Sequence, residues 1–169
     1  IKLAREVIKG YADGGVVPVI KHIPGHGRAT ADSHLALPVV TTPWDELSRT
    51  DFLPFRALSD CPAAMTAHVV FSDIDSGAPA SASERVMREV IRGEIGFNGL
   101  LMSDDLSMQA LSGPMRTRAE QVIAAGSDVA LHCNGDMTEM RAAAEGVPVL
   151  AGRAADRFAR VCRVTRHVR

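Results

Sequence analysis

Short apolar runs alternate with amphipathic stretches along the chain, and this alternation is typical of repeated strand–helix units on a parallel sheet. Apolar spacing predicts a first helix over 2–13, ended by Gly14 and Gly15. A second helix is predicted to begin with Thr42 as its cap and Pro43 as its first helical residue. The same spacing predicts four later helices, over 83–95, 116–125, 136–145 and 152–167.

Apolar runs between these helices are predicted to be strands, at 16–20, 63–70, 99–104 and 128–132. The first run contains Pro18, which has no N–H to donate to a ladder. Strand–helix units in this order fit either a flavodoxin-like open sheet or part of a (β/α)8 barrel, which four strands cannot close. The pattern by itself slightly favours the open sheet, so the choice of a barrel has to rest on the site residues.

Composition and charge exclude several classes of protein. The chain is 46% hydrophobic and 23% charged, which is ordinary for one globular domain, and its net charge of -1 provides no footprint for nucleic acid or an anionic membrane. No apolar run approaches the roughly 20 residues of a membrane span. The three cysteines are far apart, which argues against a disulfide framework and fits the reducing cytoplasm. Arginines spaced along the last predicted helix are expected to form a solvated face.

Polar side chains follow each predicted strand: Lys21 and His22, then His68, then Asp104 and Asp105, and finally His132 with Asn134. Because the carboxyl ends of parallel strands meet at one edge, these groups are expected to share a pocket that binds hydroxyls or a charged group. The adjacent carboxylates have a second interpretation, as caps on the following helix. We expect them to divide the work, with Asp104 facing the pocket and Asp105 capping or pairing.

The stretch from 21 to 34 is the richest in chemistry, and it allows two further interpretations. His22, His26, Asp32 and His34 have the chemistry of metal ligands, but glycines and a proline make this segment an irregular turn, and a neighbouring lysine opposes a cation. The Asp-Ser-His sequence at 32–34 contains the residue types of a catalytic triad, but adjacent residues on a loop rarely reach each other in that geometry. We therefore expect neither a metal ion nor a cofactor.

Several motifs together resemble one enzyme family. The segments KHIPGHG at 21–27 and DSHLALP at 32–38 resemble the signature of family 3 glycoside hydrolases that act as β-N-acetylglucosaminidases. MTAH at 65–68, SDDLSM at 103–108 and LHCNG at 131–135 resemble further strand-end segments of that group. The resemblance runs through nearly the whole chain, and the first two segments together are highly specific.

The resemblance implies an α/β fold that is the C-terminal half of a (β/α)8 TIM barrel. Residues 1–169 would then be a partial catalytic domain with four βα units, and the first half of the barrel would be absent from this chain. That half normally contributes an Asp and an Arg to the sugar subsite. We therefore expect a complete site to need the missing N-terminal half.

The implied activity is removal of a terminal, non-reducing, β-linked N-acetylglucosamine with retention of configuration. The substrate would be a small carbohydrate, a muropeptide of bacterial cell-wall recycling in the cytoplasm. Asp104 matches the nucleophile that forms a covalent glycosyl-enzyme, and Asp32 and His34 match the acid/base pair on a mobile loop. Further positions match a hydroxyl-binding pair and a residue that lines the sugar pocket: Lys21, His22 and His68.

The chemistry of these residue types is consistent with that assignment. Retaining glycosidases need one carboxylate to attack the anomeric carbon and a second group to protonate the leaving oxygen. An imidazole such as His34 titrates near neutrality, and Asp32 can stabilise its cation. Two alternatives stay open: an N-acetylglucosaminide phosphorylase, because an imidazole does not repel phosphate as a carboxylate would, and a non-catalytic sugar- or metal-binding fragment.

Overall fold

A four-stranded parallel sheet organises the fold, in a computed structural model that describes residues 1–33 and 35–164. Its strands follow chain order in space, and they are β1 Val19–Ile23, β3 Ala63–Thr66, β5 Leu100–Asp105 and β6 Val129–Leu131. A separate parallel pair is formed by β2 Val39–Val40 and β4 Val70–Phe71. The predicted α/β class with a parallel sheet is confirmed.

Helices surround this sheet. They are α1 Lys2–Asp13, α2 Trp44–Arg49, α3 Phe52–Ala57, α4 Met115–Ala125, α5 Met137–Glu145 and α6 Gly152–Val164, with a 3-10 turn at Ala80–Ala82 and a π helix at Val86–Glu94. The predicted helices are present, the last of them up to Val164, because 165–167 lie outside the described residues. Helix α3 was missed because Pro54 interrupts its pattern. Over the described ranges, no helix is long and apolar enough to cross a membrane.

The predicted first strand is displaced along the chain. It was expected at 16–20, but β1 begins at Val19, directly after Pro18. A proline has no N–H to donate to the ladder, which explains why the pairing with β3 starts at Val19, the residue after Pro18. Lys21 and His22 consequently lie within the strand instead of beyond its end.

The predicted second strand, 63–70, is divided into two short strands that belong to different sheets. β3 ends at Thr66, and β4 begins at Val70 and pairs with β2 instead of the main sheet. The Ala67 N–H still bonds to the Ile23 carbonyl at 2.9 Å. His68 is therefore carried past the end of the main sheet.

Two predicted helix starts have different outcomes. Thr42 was expected to cap α2, but Pro43 is the capping residue, in an extended conformation, and the Trp44 N–H donates to the Asp73 carboxylate at 2.8 Å. Asp73 thus takes the capping role from across the fold. Ser83 does cap its helix, accepting the Val86 N–H at 3.1 Å, although the helix has π geometry.

The main hydrophobic core lies between the sheet and the helices, and a smaller one lies beneath α4 and α5. The Phe52 and Phe71 rings meet edge to face in the larger core. At the amino end of β5, Asp128 binds both Arg92 and Arg157, at 3.0 and 2.8 Å. Arg157 is nearly buried there, so the arginine face of α6 is only partly solvated, unlike the expectation.

Candidate active site

The polar residues predicted at the strand ends meet at the carboxyl edge of the sheet. His22 lies in β1, Asp104 and Asp105 end β5, and His132 follows β6. The continuous apolar run of β5 is buried on both faces, as expected for a central parallel strand, and its first polar residues emerge only at this edge.

Asp104 has one constrained oxygen and one oxygen that faces another side chain. Its Oδ1 atom accepts the N–H of Asp105 at 2.9 Å. Its Oδ2 atom lies 3.7 Å from Nε2 of His22, and the residue is 8% exposed. A carboxylate held in this way presents one oxygen in a fixed direction at the strand end.

Asp105 is committed to bonds within the protein. Its Oδ1 accepts the N–H groups of Ser107 and Cys133, at 3.0 and 3.1 Å, and its Oδ2 accepts the Ser107 hydroxyl at 2.6 Å. Burial alone would raise the pKa of Asp105, but these hydrogen bonds outweigh it and hold that pKa below its usual value. The two adjacent carboxylates thus have the different surroundings that the proposed division of work requires.

His22 is half-buried beside Asp104 and Lys21. Burial lowers the pKa of His22, the Asp104 carboxylate opposes this shift, and the Lys21 ammonium adds to it. The imidazole is therefore neutral near pH 7, and its contact with Asp104 is not an ion pair at that pH. The His26 ring lies beyond it, with centroids 5.6 Å apart.

His68, which was expected to line the sugar pocket, is fully buried just beyond the end of β3. It has no exposed surface, and its Nε2 atom is 3.1 Å from the Asp105 carbonyl oxygen. Because a carbonyl only accepts, Nε2 carries the hydrogen, and Nδ1 accepts the Ser81 hydroxyl at 2.6 Å. Burial lowers the pKa of His68, so this ring is neutral. With both nitrogens occupied, His68 has no free group for a sugar.

The loop after β1 carries the expected acid/base pair. Asp32 is exposed, and its carbonyl accepts the Leu35 N–H at 2.9 Å, but His34 lies outside the described residues. In the first part of the loop, Arg28 forms ion pairs with Asp51 at 2.7 Å and Glu46 at 2.8 Å. The assignment of Asp32 and His34 stays a prediction.

Some site residues escaped the sequence analysis. Ser107 had a local signal, because a serine two residues after an aspartate is typical of an Asx turn. Ser81 had none, since its bond to His68 depends on the fold. His132 and Asn134 were expected to face the pocket, but both bond to Glu139 of α5, at 2.8 and 2.7 Å.

Of the four candidate metal ligands, His34 lies outside the described residues, so the metal alternative is not tested at that position. Within 1–33 and 35–164, no three histidine, cysteine or acidic side chains are grouped as metal ligands. His26 instead bonds to the buried Ser33 hydroxyl at 3.2 Å.

The sheet places one aligned carboxylate at the end of a central strand, and comparisons with known proteins identify the family. The profile of the glycosyl hydrolase family 3 N terminal domain matches residues 1–166, and the chain belongs to this family. A protein named β-hexosaminidase from Tolumonas auensis is 42% identical over 139 residues. That alignment covers 79% of this chain but only 41% of the relative, so the chain spans less than half of the relative's length.

Solved structures show the same fold. A glycoside hydrolase family 3 β-N-acetylglucosaminidase from Paenibacillus sp. has a TM-score of 0.84 and 30% identity, covering 95% of this chain and 33% of that one. NagZ from Neisseria gonorrhoeae, in complex with N-trifluoroacetyl-D-glucosamine, has a TM-score of 0.81 and 36% identity. This match covers 94% of this chain and 46% of the NagZ chain.

Proposed function

We propose that this chain is the catalytic half of a retaining β-N-acetylglucosaminidase. The observation that carries the proposal is the Asp104 carboxylate, with Oδ1 bonded to a backbone amide and Oδ2 facing His22 at the strand edge. Membership of glycosyl hydrolase family 3, and relatives named β-hexosaminidase, support a β-linked N-acetylhexosamine as the substrate class.

The reaction would proceed in two displacements. Asp104 attacks the anomeric carbon while the bond to the leaving oxygen breaks, and His34 gives its proton to that oxygen. His34 then takes a proton from water, the water oxygen bonds to the anomeric carbon, and Asp104 is released. Asp32 would orient His34 and stabilise its cation, while Lys21 and the neutral His22 would bind sugar hydroxyls.

We further propose that the sheet is the C-terminal half of a (β/α)8 barrel. Both of its outer strands have an apolar border: a groove of about 380 Å3 separates α1 from β1, and another of about 520 Å3 adjoins β6 and α6. The exposed side chains beside these grooves are mostly apolar, which is typical of a surface that other parts of a protein cover. They include Leu3, Val7 and Tyr11 on one side and Val149 and Phe158 on the other. Four upstream βα units would cover both borders and add the missing sugar contacts.

The convergence of two strand-end side chains supports the barrel over the open sheet. Nε2 of His22, in β1, lies 3.7 Å from Oδ2 of Asp104, in β5, with β3 between the two strands. Side chains on the inner face of a sheet that rolls toward its own axis converge in this way.

A muropeptide and a cytoplasmic location complete the proposal. Among the described residues Cys61 and Cys133 are free thiols, which a reducing compartment would maintain. The relatives' names support an N-acetylhexosaminide in general, and the muropeptide is the finer part of the proposal.

The deciding experiment is release of an aryl alcohol from an aryl N-acetyl-β-glucosaminide by protein that includes the upstream units. Turnover should be unaffected by a chelator and lost in Asp104→Asn. This isolated chain, tested in parallel, should be inactive. Turnover that needs a metal ion, or that survives in Asp104→Asn, would contradict the proposal.

A further inference from the structure

The backbone around Asp105 is held by hydrogen bonds on more than one side. The N–H of the peptide between Asp104 and Asp105 bonds to the Asp104 carboxylate at 2.9 Å, so the orientation of this peptide sets the orientation of that carboxylate. The next peptide along the chain, which carries the Asp105 carbonyl, receives the His68 N–H. The backbone on either side of the Asp105 α-carbon is therefore bonded to groups at the site.

The Asp105 side chain joins this peptide to the next strand and to the following turn. Through its bond with the Cys133 N–H it spans from β5 to the second residue after β6. Through its two bonds to Ser107 it closes a tight Asx turn. The parallel pairing of Asp105 with Leu131 adds a backbone link at the same position.

The opposite side is held by His68, from the segment beyond β3. Its buried ring donates to the Asp105 carbonyl and accepts from Ser81, whose own N–H bonds to the Ala67 carbonyl at 3.1 Å. A neutral, fully bonded imidazole in a buried site allows only a small range of orientations.

We infer that Asp105 is a positioning residue that aims the Asp104 carboxylate, and that His68, from the segment beyond β3, supports it. The inference rests on the proposed function, since it assigns Asp105 a task in the attack by Asp104. Asp105 does not itself touch the sugar; it fixes the backbone amide that holds Oδ1 of Asp104. Releasing this amide lets the attacking oxygen rotate away from the anomeric carbon, and displacement by about 1 Å is enough to cost roughly 100-fold in rate.

The test compares three variants in protein that includes the upstream units. Asp105→Ala removes every side-chain bond. Asp105→Asn keeps them all, because its amide oxygen accepts the two N–H groups and its NH2 donates to a rotated Ser107 hydroxyl. The matched control is Asp75→Ala, since Asp75 makes a similar turn, accepting the Gly77 N–H at 2.9 Å and the Ser83 hydroxyl at 2.6 Å, with no bond to β5 or β6.

For Asp105→Ala we expect kcat on the aryl glycoside to fall by about 100-fold with KM changed less than about threefold, because only the aim of the nucleophile is lost. Asp105→Asn should recover most of the rate, and Asp75→Ala should keep wild-type kcat and KM at a similar loss of thermal stability. Ser107→Ala, which removes a single bond, should lower kcat by about tenfold and serves if Asp105→Ala does not fold.

Three results would overturn the inference. The first is a wild-type kcat in Asp105→Ala, or in Ser107→Ala if Asp105→Ala does not fold. The second is an equal loss of kcat in Asp105→Ala and Asp105→Asn, and the third is an equal loss of kcat in Asp75→Ala. Equal losses in the Ala and Asn variants would assign Asp105 an effect of charge, and an equal loss in the control would assign it general stability. An inactive wild-type protein would instead reject the proposed function itself.

Discussion

Nε2 of His22 lies 3.7 Å from Oδ2 of Asp104, although β3 separates their two strands. Neighbouring strands lie about 4.7–4.9 Å apart, so a flat sheet would hold these two strands roughly 10 Å from each other. Side chains on the inner face of a curved sheet converge, whereas side chains on its outer face diverge. The contact therefore places His22 and Asp104 on one face of the sheet, at its carboxyl edge, where the proposed site would bind a sugar.

The covalent intermediate should form on Asp104. A slowly released 2-fluoro analogue of the substrate should label the peptide that contains Asp104. Among the described residues Oδ2 of Asp104 accepts no hydrogen bond, whereas both oxygens of the adjacent Asp105 carboxylate do. Mass spectrometry with fragmentation distinguishes Asp104 from Asp105. Labelling at Asp105, whose two oxygens are bonded to Ser107 and Cys133, would contradict both the nucleophile and the positioning role.

The acid/base assignment is testable through the leaving group. His34→Gly should slow cleavage of natural disaccharides severely, because their alkoxide leaving groups need a proton. Aryl glycosides with acidic phenols should still complete the first step and accumulate glycosyl-enzyme. Equal losses on both substrates would assign His34 to binding or to structure.

The products formed in phosphate buffer distinguish hydrolysis from phosphorolysis. In phosphate buffer a hydrolase releases free N-acetylglucosamine, whereas a phosphorylase releases the 1-phosphate. We expect the free sugar. If mass spectrometry instead finds mainly the phosphate ester, the acceptor is phosphate and not water.

Stability should fall on mild acidification through His68. Its pKa in the folded protein is lowered from 6.5 by burial, so the unfolded chain binds this proton more readily. Stability is then full above about pH 6.5 and declines as the pH falls toward the folded pKa. The charged groups that act on this ring are Asp104, Asp105 and Arg118.

Urea unfolding at several pH values measures this effect. His68→Gln, which keeps a donor near the Asp105 carbonyl, should flatten the slope between pH 7 and 5.5, and the curves above pH 7.5 serve as the control. His22 is shifted in the same direction and accounts for part of the remaining slope. An unchanged slope in His68→Gln would show that its proton is not linked to folding.

The apolar face of α1 should matter only in the assembled barrel. Val7 is 57% exposed in this chain, and burying it against upstream units would contribute roughly 1 kcal/mol. Val7→Asn should therefore lower the thermal stability of protein with the upstream units and leave this chain unaffected. Glu6→Asn, at the adjacent exposed position, is the matched control. Equal effects of both variants would reject the docking face.

The strand ends could be predicted because apolar runs and their first polar residues are local signals. Asp104 and His22 were found in this way, and family motifs added their roles. Orientation could not be predicted: a histidine after a strand can face the pocket, as was expected of His68, or lie beneath it with a serine from a later turn. Capping of Trp44 by Asp73 likewise depends on residues brought together only by the fold.

The anchoring of Arg28 has a consequence for the entropy of substrate capture. Ion pairs to Asp51 and Glu46 hold the chain at Arg28, so the loop closure that the proposed mechanism needs would begin after this residue. Ordering a free backbone costs about 1–2 kcal/mol per residue at room temperature. In the proposed mechanism, a shorter moving segment would bring the proton donor to the substrate while less of the binding energy is lost to immobilising the chain.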